Sequence, residues 1–365
     1  MRVVTLTSLR RTWYVGAFLL LWTASIPIAE AAFRWLGDQP SLDLEGLFVS
    51  SSGSSYKLAS GVDTQATWAA GRFTVHTDGL GLRCDEHRLL AVKPGDRLDV
   101  LFLGDSQGFG HGVSFVDSVA GSAAELAARE GYRFANASVG GHAALNQFAL
   151  ARWLAEEQRV VASNYVLLMG PLMINNTDGF TRATVGDDGR LYDRPPRAWA
   201  KIGLWAKTNL VVYGRLRDAI RNLGVGGRPQ EDRQALLRLY GAGEPEEEVR
   251  RKLVRFLREV QQFAARRGAG VRVVYLPMTV EVDLEVMRRA AAVSGVNVDL
   301  DLPRRIGRAA ARELGISFHD LGPVLERVHS EGDPLRLKGD FHYNPVLSRA
   351  CGLSIWQDLA AVMRQ

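Results

Sequence analysis

Short apolar runs alternate with longer amphipathic segments over most of the chain. Runs with the length and composition of β-strands occur at 98–105, 133–139, 164–170, 271–278 and 316–322. Amphipathic segments typical of helices occur at 115–130, 143–158, 246–267 and 345–364. The first run, LDVLFLGD, is apolar at consecutive positions, as expected where helices cover both faces of a sheet. Strands that alternate with helices predict an α/β domain with a doubly wound parallel sheet.

The connection between the third and fourth predicted strands is unusually long. From Asn176 to Val271 it far exceeds what a βαβ crossover needs, and it predicts a helical insertion at about 180–240. Such an insertion either covers the carboxyl edge of the sheet, where it would shape a substrate cleft, or packs at the side of the domain.

The N-terminal part of the chain carries a long uncharged apolar segment. Residues 12–29 contain no charge, Arg2, Arg10 and Arg11 precede them, and no acid occurs before Glu30. This length is close to the minimum for a membrane-spanning helix. The basic flank predicts that the N-terminus stays in the cytoplasm and that the remainder is exported, on a single-pass protein of the inner membrane.

Two alternatives to an anchor remain open. Ala29-Glu30-Ala31 has the small-x-small pattern of a signal-peptidase site, so the segment could be a cleaved signal peptide. It could also be an ordinary buried helix. Trp13, Tyr14 and Trp22 favour the anchor, because such side chains concentrate at membrane interfaces.

Between this segment and the α/β domain, composition changes twice. A stretch rich in Ser, Gly and Asp at 37–61 indicates a loop or linker, and alternating runs at 68–95 indicate a small β extension. The predicted domains are a cytoplasmic tail at 1–11, a transmembrane signal anchor at 12–32, a membrane-proximal linker with the β extension at 33–95, and the α/β domain at 96–365.

Charge and cysteine content narrow the function classes. The net charge is +5, but the arginines are scattered over amphipathic helices without a basic stripe interleaved with aromatics, which argues against nucleic-acid binding. Cys84 and Cys351 form no CxxC pair, and they could be a disulfide or two unrelated thiols. No histidine–carboxylate spacing indicates a metal site, and no cofactor is expected.

The sequence LFLGDSQGFGHG combines a strand with a Gly-rich turn that carries Ser106 at its bend. A serine there can be exposed at the carboxyl end of a strand, beside the free N–H groups of the next helix. GDSQG matches the G-x-S-x-G elbow of α/β-hydrolases, but that fold has several strands before the elbow. A phosphate-binding loop would need the GK[ST] ending or GxGxxG spacing, and neither is present.

The third interpretation is a resemblance to the GDSL/SGNH hydrolase family. VLFLGDSQGFGHGV resembles its first block, with Ser106 at the nucleophile, and NASVGGHAALNQ resembles its second, with Gly141, rather than Gly140, at the oxyanion glycine. GDFHYNPVLSRACG resembles the last block, with Asp340 and His342 at the acid and the base. TDGLGLRCDE resembles the lead-in of membrane-anchored members, and the similarity spans about 76–360.

The resemblance implies an SGNH-type, flavodoxin-like sheet and an acyl-transfer site. In such a site the imidazole takes the serine proton, the carboxylate orients the imidazole, and N–H donors stabilise the oxyanion. The implied donors are the N–H groups of Ser106 and Gly141 and a side-chain amide. The third block, usually Gly-x-Asn-Asp, reads MGPLMINNTD here, so Asn175 or Asn176 supplies the amide if the loop is longer, or both are turn residues.

The remaining histidines fall into two groups. His111 and His142 flank the nucleophile and oxyanion turns and are candidates for substrate contact. Four others are interpreted as solvated or structural: His76, His87, His319 and His329.

The expected function is serine-dependent acyl-ester chemistry, by an esterase or an O-acyltransferase, on an exported and membrane-anchored domain. The expected substrate is an acyl ester, and the setting favours a cell-envelope or exported polysaccharide. The alternative is a catalytically silent carbohydrate-binding or assembly factor that retains the fold. The altered third block and Ser348, where the last block usually has Gly, favour that alternative. The acyl group, acceptor, protein partners and oligomeric state are left open.

Overall fold

The computed structural model divides the chain into two compact units. One contains Met1–Asp43 with Pro196–Gly227, and the other contains Leu44–Pro195 with Arg228–Gln365. The residues that the structure describes are 25, 27–32, 35, 42–68, 71–175, 177–179, 181, 183–186, 189–192, 205–206, 210–212, 240, 245–282, 299–337 and 340–364.

In the smaller unit, the carboxylate of Glu30 accepts hydrogen bonds from the N–H groups of Val211 and Val212, at 3.1 and 2.9 Å. Most of the predicted anchor at 12–32 lies outside the described residues. Among the described residues, no helix is both long and apolar enough to span a bilayer. The described part of this unit also contains the strand β1 (Leu42–Asp43).

The larger unit is built on a mostly parallel sheet. The described strands of this unit, of which β2–β3 and β10–β11 form two separate pairs, are β2 (Phe48–Ser51), β3 (Ser55–Leu58), β4 (Asp63–Trp68), β5 (Gly71–Thr77), β6 (Arg83–Cys84), β7 (Arg97–Leu103), β8 (Phe134–Asn136), β9 (Val161–Met169), β10 (Thr184–Val185), β11 (Leu191–Tyr192), β12 (Gly270–Tyr275) and β13 (Ser317–Asp320). The five parallel strands lie in the order β8-β7-β9-β12-β13. In chain order this is 2-1-3-4-5, the flavodoxin-like order that the resemblance implies.

Helices cover both faces of this sheet. They are α1 (Ser106–Phe109), α2 (Val119–Arg129), α3 (Ala144–Glu156), α4 (Pro171–Asn175), α5 (Glu246–Ala265), α6 (Leu302–Glu313), α7 (Gly322–Ser330) and α8 (Pro345–Met363), with 3-10 turns at Phe115–Asp117 and Thr279–Glu281. The structure has two hydrophobic cores, and the side chains of alternate residues of β7 pack in different ones. Leu101 and Leu103 pack in the core that includes α3, α5 and α6, whereas Val100 and Phe102 pack in the core that includes α2, α7 and α8. The unbroken apolar run of β7 follows from this double burial.

The segment before the α/β domain contains more structure than its composition indicates. The predicted loop at 37–61 includes the antiparallel pair β2–β3, in which Tyr56 and Leu58 are buried at alternate positions. Strands of four residues separated by serines and a glycine are too short to produce a recognisable period-2 pattern. The strands β4, β5 and β6 then extend the main sheet, and β6 pairs antiparallel with β8 through Arg83 and Asn136.

The insertion predicted at about 180–240 is described only in part. It begins with the antiparallel pair β10–β11 instead of a helix, and most of the rest lies outside the described residues. The two cysteines are free and buried, Cys84 in β6 and Cys351 in α8. Of the two alternatives, the structure supports unrelated thiols, and burial raises the pKa of the Cys84 thiol to about 12.

Candidate active site

Three side chains from distant parts of the sequence meet at the carboxyl edge of the parallel sheet. His342 Nε2 lies 2.9 Å from Ser106 Oγ, and His342 Nδ1 lies 2.8 Å from Asp340 Oδ2. Ser106 begins α1 directly after β7, and the other two residues precede α8. An ionised carboxylate only accepts hydrogen bonds, so Nδ1 donates to Asp340 and Nε2 accepts from the Ser106 hydroxyl.

The contact between Asp340 and His342 is shielded from water. The exposed fractions of the two side chains are 7% and 4%. Phe341, between them in sequence, is 47% exposed and stacks on the imidazole with ring centroids 4.4 Å apart. Its N–H donates to Asp340 Oδ1 at 2.6 Å, so the backbone holds one carboxylate oxygen while the other faces the imidazole.

The turn that carries Ser106 requires small residues. Asp105 caps α1 by accepting from the N–H of Gln107 at 2.9 Å, and burial raises the pKa of its carboxyl. A Cβ at Gly104 or Gly108 would lie 2.8 or 2.6 Å from Ser138 Oγ, which is too close for any side chain. The glycines of the GDSQG motif therefore allow α1 to approach the loop that follows β8.

Gln107 joins the nucleophile helix to the histidine loop. Its Nε2 donates to the carbonyl of Phe341 at 3.4 Å, and its Oε1 accepts from the N–H of Tyr343 at 3.3 Å. On the other side of the loop, the N–H of Leu337 donates to the carbonyl of His342 at 2.9 Å. The backbone on both sides of the imidazole is thereby held. No motif indicated Gln107, and its only signal is its place next to Ser106.

The second predicted oxyanion donor lies in the turn after β8. Gly140 is buried and Gly141 is exposed, with φ +81° at Gly141, a value that favours glycine. Within the described part of the chain, the N–H of Gly141 donates to no protein acceptor. Asn136 holds this loop against α1, because its Nδ2 donates to the carbonyl of Gly108 at 3.0 Å.

Of the two asparagines that could donate a side-chain amide to the oxyanion, the structure describes Asn175. Asn175 is the last residue of the short helix α4, directly after β9, and is half-buried. Asn176 lies outside the described residues. A side-chain amide donor at this edge of the sheet therefore stays a prediction for Asn175.

Neither histidine predicted to contact substrate has its ring at the surface. His111 packs 5.2 Å from the ring of His342, and burial lowers its pKa to about 3. His142 Nε2 lies 2.9 Å from the carbonyl of Tyr56, and burial lowers the pKa of His142 to about 4. Both rings are therefore neutral near pH 7. Both rings lie in the interior, next to the turns that carry Ser106 and Gly141. Their place beside the motifs in the sequence did not indicate this position.

His319 is arranged as strand alternation predicts. Its Nε2 lies 3.0 Å from Ser354 Oγ, whereas Asp320 pairs with Arg308 at 2.7 Å on the other side of β13. Among the described residues, no three His, Cys, Asp or Glu side chains form a group that could hold a metal ion.

Arg83 supports the nucleophile loop and was not identified from the sequence. Its fully buried guanidinium donates to the carbonyls of Phe109, Gly110, Val113 and Thr74. Burial lowers its pKa to about 9, still above neutrality, so the side chain stays charged near pH 7. Arg83 stands in the lead-in TDGLGLRCDE, which was the available signal.

Comparison with known proteins gives matches among solved structures alone. No family model matches the chain, and no curated protein does. The structure of TesA is 14% identical, with 73% of this chain and 99% of that chain covered and a TM-score of 0.40. The psychrotrophic esterase EstA from Pseudoalteromonas sp. is 10% identical, with 73% and 98% covered and a TM-score of 0.38.

A catalytic mutant of Axe2, an acetylxylan esterase from Geobacillus stearothermophilus, is 12% identical, with 73% of this chain and 95% of that chain covered and a TM-score of 0.38. EstA and Axe2 are esterases by name.

Proposed function

We propose that this protein performs serine-dependent acyl transfer from an ester, as an SGNH-type esterase or O-acyltransferase. The observation that carries the proposal is the continuous hydrogen-bonded chain from Ser106 through His342 to Asp340, at 2.9 and 2.8 Å. A serine hydroxyl becomes an effective nucleophile when a neighbouring imidazole accepts its proton. The buried carboxylate stabilises the imidazolium that forms.

The reaction has two halves that use the same groups. Ser106 Oγ attacks the ester carbonyl while its proton moves to His342 Nε2, and N–H groups of Ser106 and Gly141 receive the oxyanion. The imidazolium then protonates the departing alkoxide, which leaves an acyl-enzyme on Ser106. Water or a sugar hydroxyl, deprotonated by His342, attacks the acyl group and restores the serine. The acceptor alone separates an esterase from an O-acyltransferase.

The nucleophile assignment is tested with a fluorophosphonate probe on the purified full-length chain. Wild-type protein should be labelled, and Ser106→Ala should not, because the probe phosphonylates an activated serine oxygen. Ser354→Ala is the matched control and should be labelled like wild type, since Ser354 contacts His319 outside the site. Release of p-nitrophenol from p-nitrophenyl acetate, with and without an added sugar acceptor, separates hydrolysis from transfer.

Labelling of Ser106→Ala, or of no variant while all of them are folded, would overturn the proposal. The second of these outcomes would support the alternative, a silent carbohydrate-binding or assembly factor.

We also propose that residues 12–32 anchor the protein in the inner membrane and that the catalytic domain faces the exported side, where it meets an acylated polysaccharide. The support is the uncharged segment at 12–29 behind three arginines. A reporter fused after Gln365 should be active only on the exported side. Mature protein that begins at Ala32 would replace the anchor by a cleaved signal peptide, and a reporter active in the cytoplasm would exclude both.

A further inference from the structure

Tyr56, a residue of the β2–β3 pair, contacts the turn that holds Gly140 and Gly141 from the protein interior. The Tyr56 hydroxyl donates to the carbonyl of Gly140 at 3.2 Å. The carbonyl of Tyr56 lies 2.9 Å from His142 Nε2, which gives a second contact on the other side of Gly141. Tyr56 is fully buried, and its ring packs edge-on against His142 with centroids 4.8 Å apart.

The hydroxyl contact determines where the N–H of Gly141 points. The carbonyl of Gly140 and the N–H of Gly141 belong to one peptide unit, which is planar and trans, so the two bonds point in opposite directions. A donor that holds the carbonyl from inside the protein directs the N–H outward. Glycines on both sides of a peptide leave it free to rotate as a unit, because both residues tolerate positive φ. One hydrogen bond can therefore select the orientation.

Close contacts on both sides of the turn explain why both residues are glycine. A Cβ at Gly141 would lie 2.9 Å from the Tyr56 hydroxyl oxygen, and a Cβ at Gly140 would lie 3.2 Å from His111 Nδ1. His111 in turn packs against the ring of His342. The turn is thus fixed between Tyr56 of the β2–β3 pair and His111, whose ring packs against that of His342.

We propose that Tyr56 is a positioning residue for the oxyanion site: its hydroxyl fixes the Gly140–Gly141 peptide so that the N–H of Gly141 faces the reacting carbonyl oxygen. This inference rests on the function proposed above. Hydrogen bonding to the carbonyl also polarises the peptide, which makes its N–H a stronger donor. Through Tyr56, the segment before the α/β domain in this way positions a group of the catalytic machinery.

The test is Tyr56→Phe, which keeps the ring and removes the donor. The oxyanion exists only in the transition state and the tetrahedral intermediate, so kcat should fall by about tenfold while KM stays the same. Inhibition by a boronic acid, which forms a tetrahedral adduct with the serine, should weaken by a similar factor. Tyr165→Phe is the matched control. Tyr165 is another buried tyrosine of this unit, in β9 beside Phe263, and its variant should match wild type.

The outcomes separate this inference from the proposed function. If turnover requires Ser106 but Tyr56→Phe retains wild-type kcat and boronate affinity, the positioning role is wrong and the proposed function stands. A rise in KM without a change in kcat would also overturn it, because that indicates ground-state binding. If turnover does not depend on Ser106, the proposed function itself fails. Thermal unfolding of each variant checks that a loss of kcat does not reflect unfolding.

Discussion

Replacement of His342 by alanine should lower acyl-transfer turnover by about 10⁴- to 10⁶-fold. Ser106 Oγ lies 2.9 Å from His342 Nε2, the base that accepts its proton, and the variant removes this base. Without it, the serine would have to lose its proton to water near neutral pH. The oxyanion donors and the substrate contacts stay in place, so a small residual rate above the uncatalysed reaction is expected. The measurement is kcat on p-nitrophenyl acetate with the full-length chain.

His319→Ala is the matched control, because this histidine also has an aspartate next to it in sequence. His319 contacts Ser354, and the carboxylate of Asp320 is engaged by Arg308, so neither takes part in the site. We expect its kcat to remain close to that of wild type. Activity that survives in His342→Ala but disappears in a folded His319→Ala would show that the wrong histidine, and with it the wrong sequence block, has been assigned.

The architecture of the parallel sheet could be predicted from the sequence to a large extent. All five predicted strands of the α/β domain are present, and their α/β alternation is confirmed. The strongest signal came from β7, where burial on both faces requires apolar residues at consecutive positions. The sequence motifs, which occur in the correct order along the chain, predicted that Ser106 and His342 meet at the carboxyl edge of the sheet. The distance of 2.9 Å between Ser106 Oγ and His342 Nε2 could not be obtained from the spacing of these residues along the sequence.

The contributions of the segment before the α/β domain could not be predicted. Tyr56 reaches Gly140 across 84 positions, and Arg83 reaches Phe109 across 26. Periodicity reports which residues are buried, but it does not report which distant carbonyl a buried donor will meet. An arginine in a turn-rich segment is ordinarily exposed, and here four backbone carbonyls accept hydrogen bonds from its two terminal nitrogens in the interior. Such non-local hydrogen bonds leave no pattern in a single sequence.

The same limit applies to the histidines beside the motifs. His111 and His142 stand next to the nucleophile and oxyanion turns, which favoured a role in substrate contact. Adjacency along the chain does not determine whether a side chain points outward or into the core. The structure places both rings in the interior, where burial keeps them neutral.

Replacement of Asp340 by asparagine should reduce kcat by about 10⁴-fold although it changes the shape of the side chain very little. In the wild type, Oδ1 accepts from the N–H of Phe341 and Oδ2 accepts from His342 Nδ1. The asparagine oxygen must remain at the first position, because an amide nitrogen cannot accept the N–H of Phe341. The amide NH₂ then faces Nδ1 and donates to it.

This reversal changes the tautomer of the imidazole. When Nδ1 accepts, the proton of the neutral ring resides on Nε2, and Nε2 can no longer take the proton of Ser106. The loss should appear in kcat, in the rate of fluorophosphonate labelling, and in the disappearance of the downfield proton resonance of the hydrogen-bonded Nδ1–H. Asp320→Asn, which alters the carboxylate beside His319, should leave all three measurements unchanged. A folded Asp340→Asn with wild-type kcat would mean that Asp340 does not orient His342 for catalysis, and that the 2.8 Å contact is only structural.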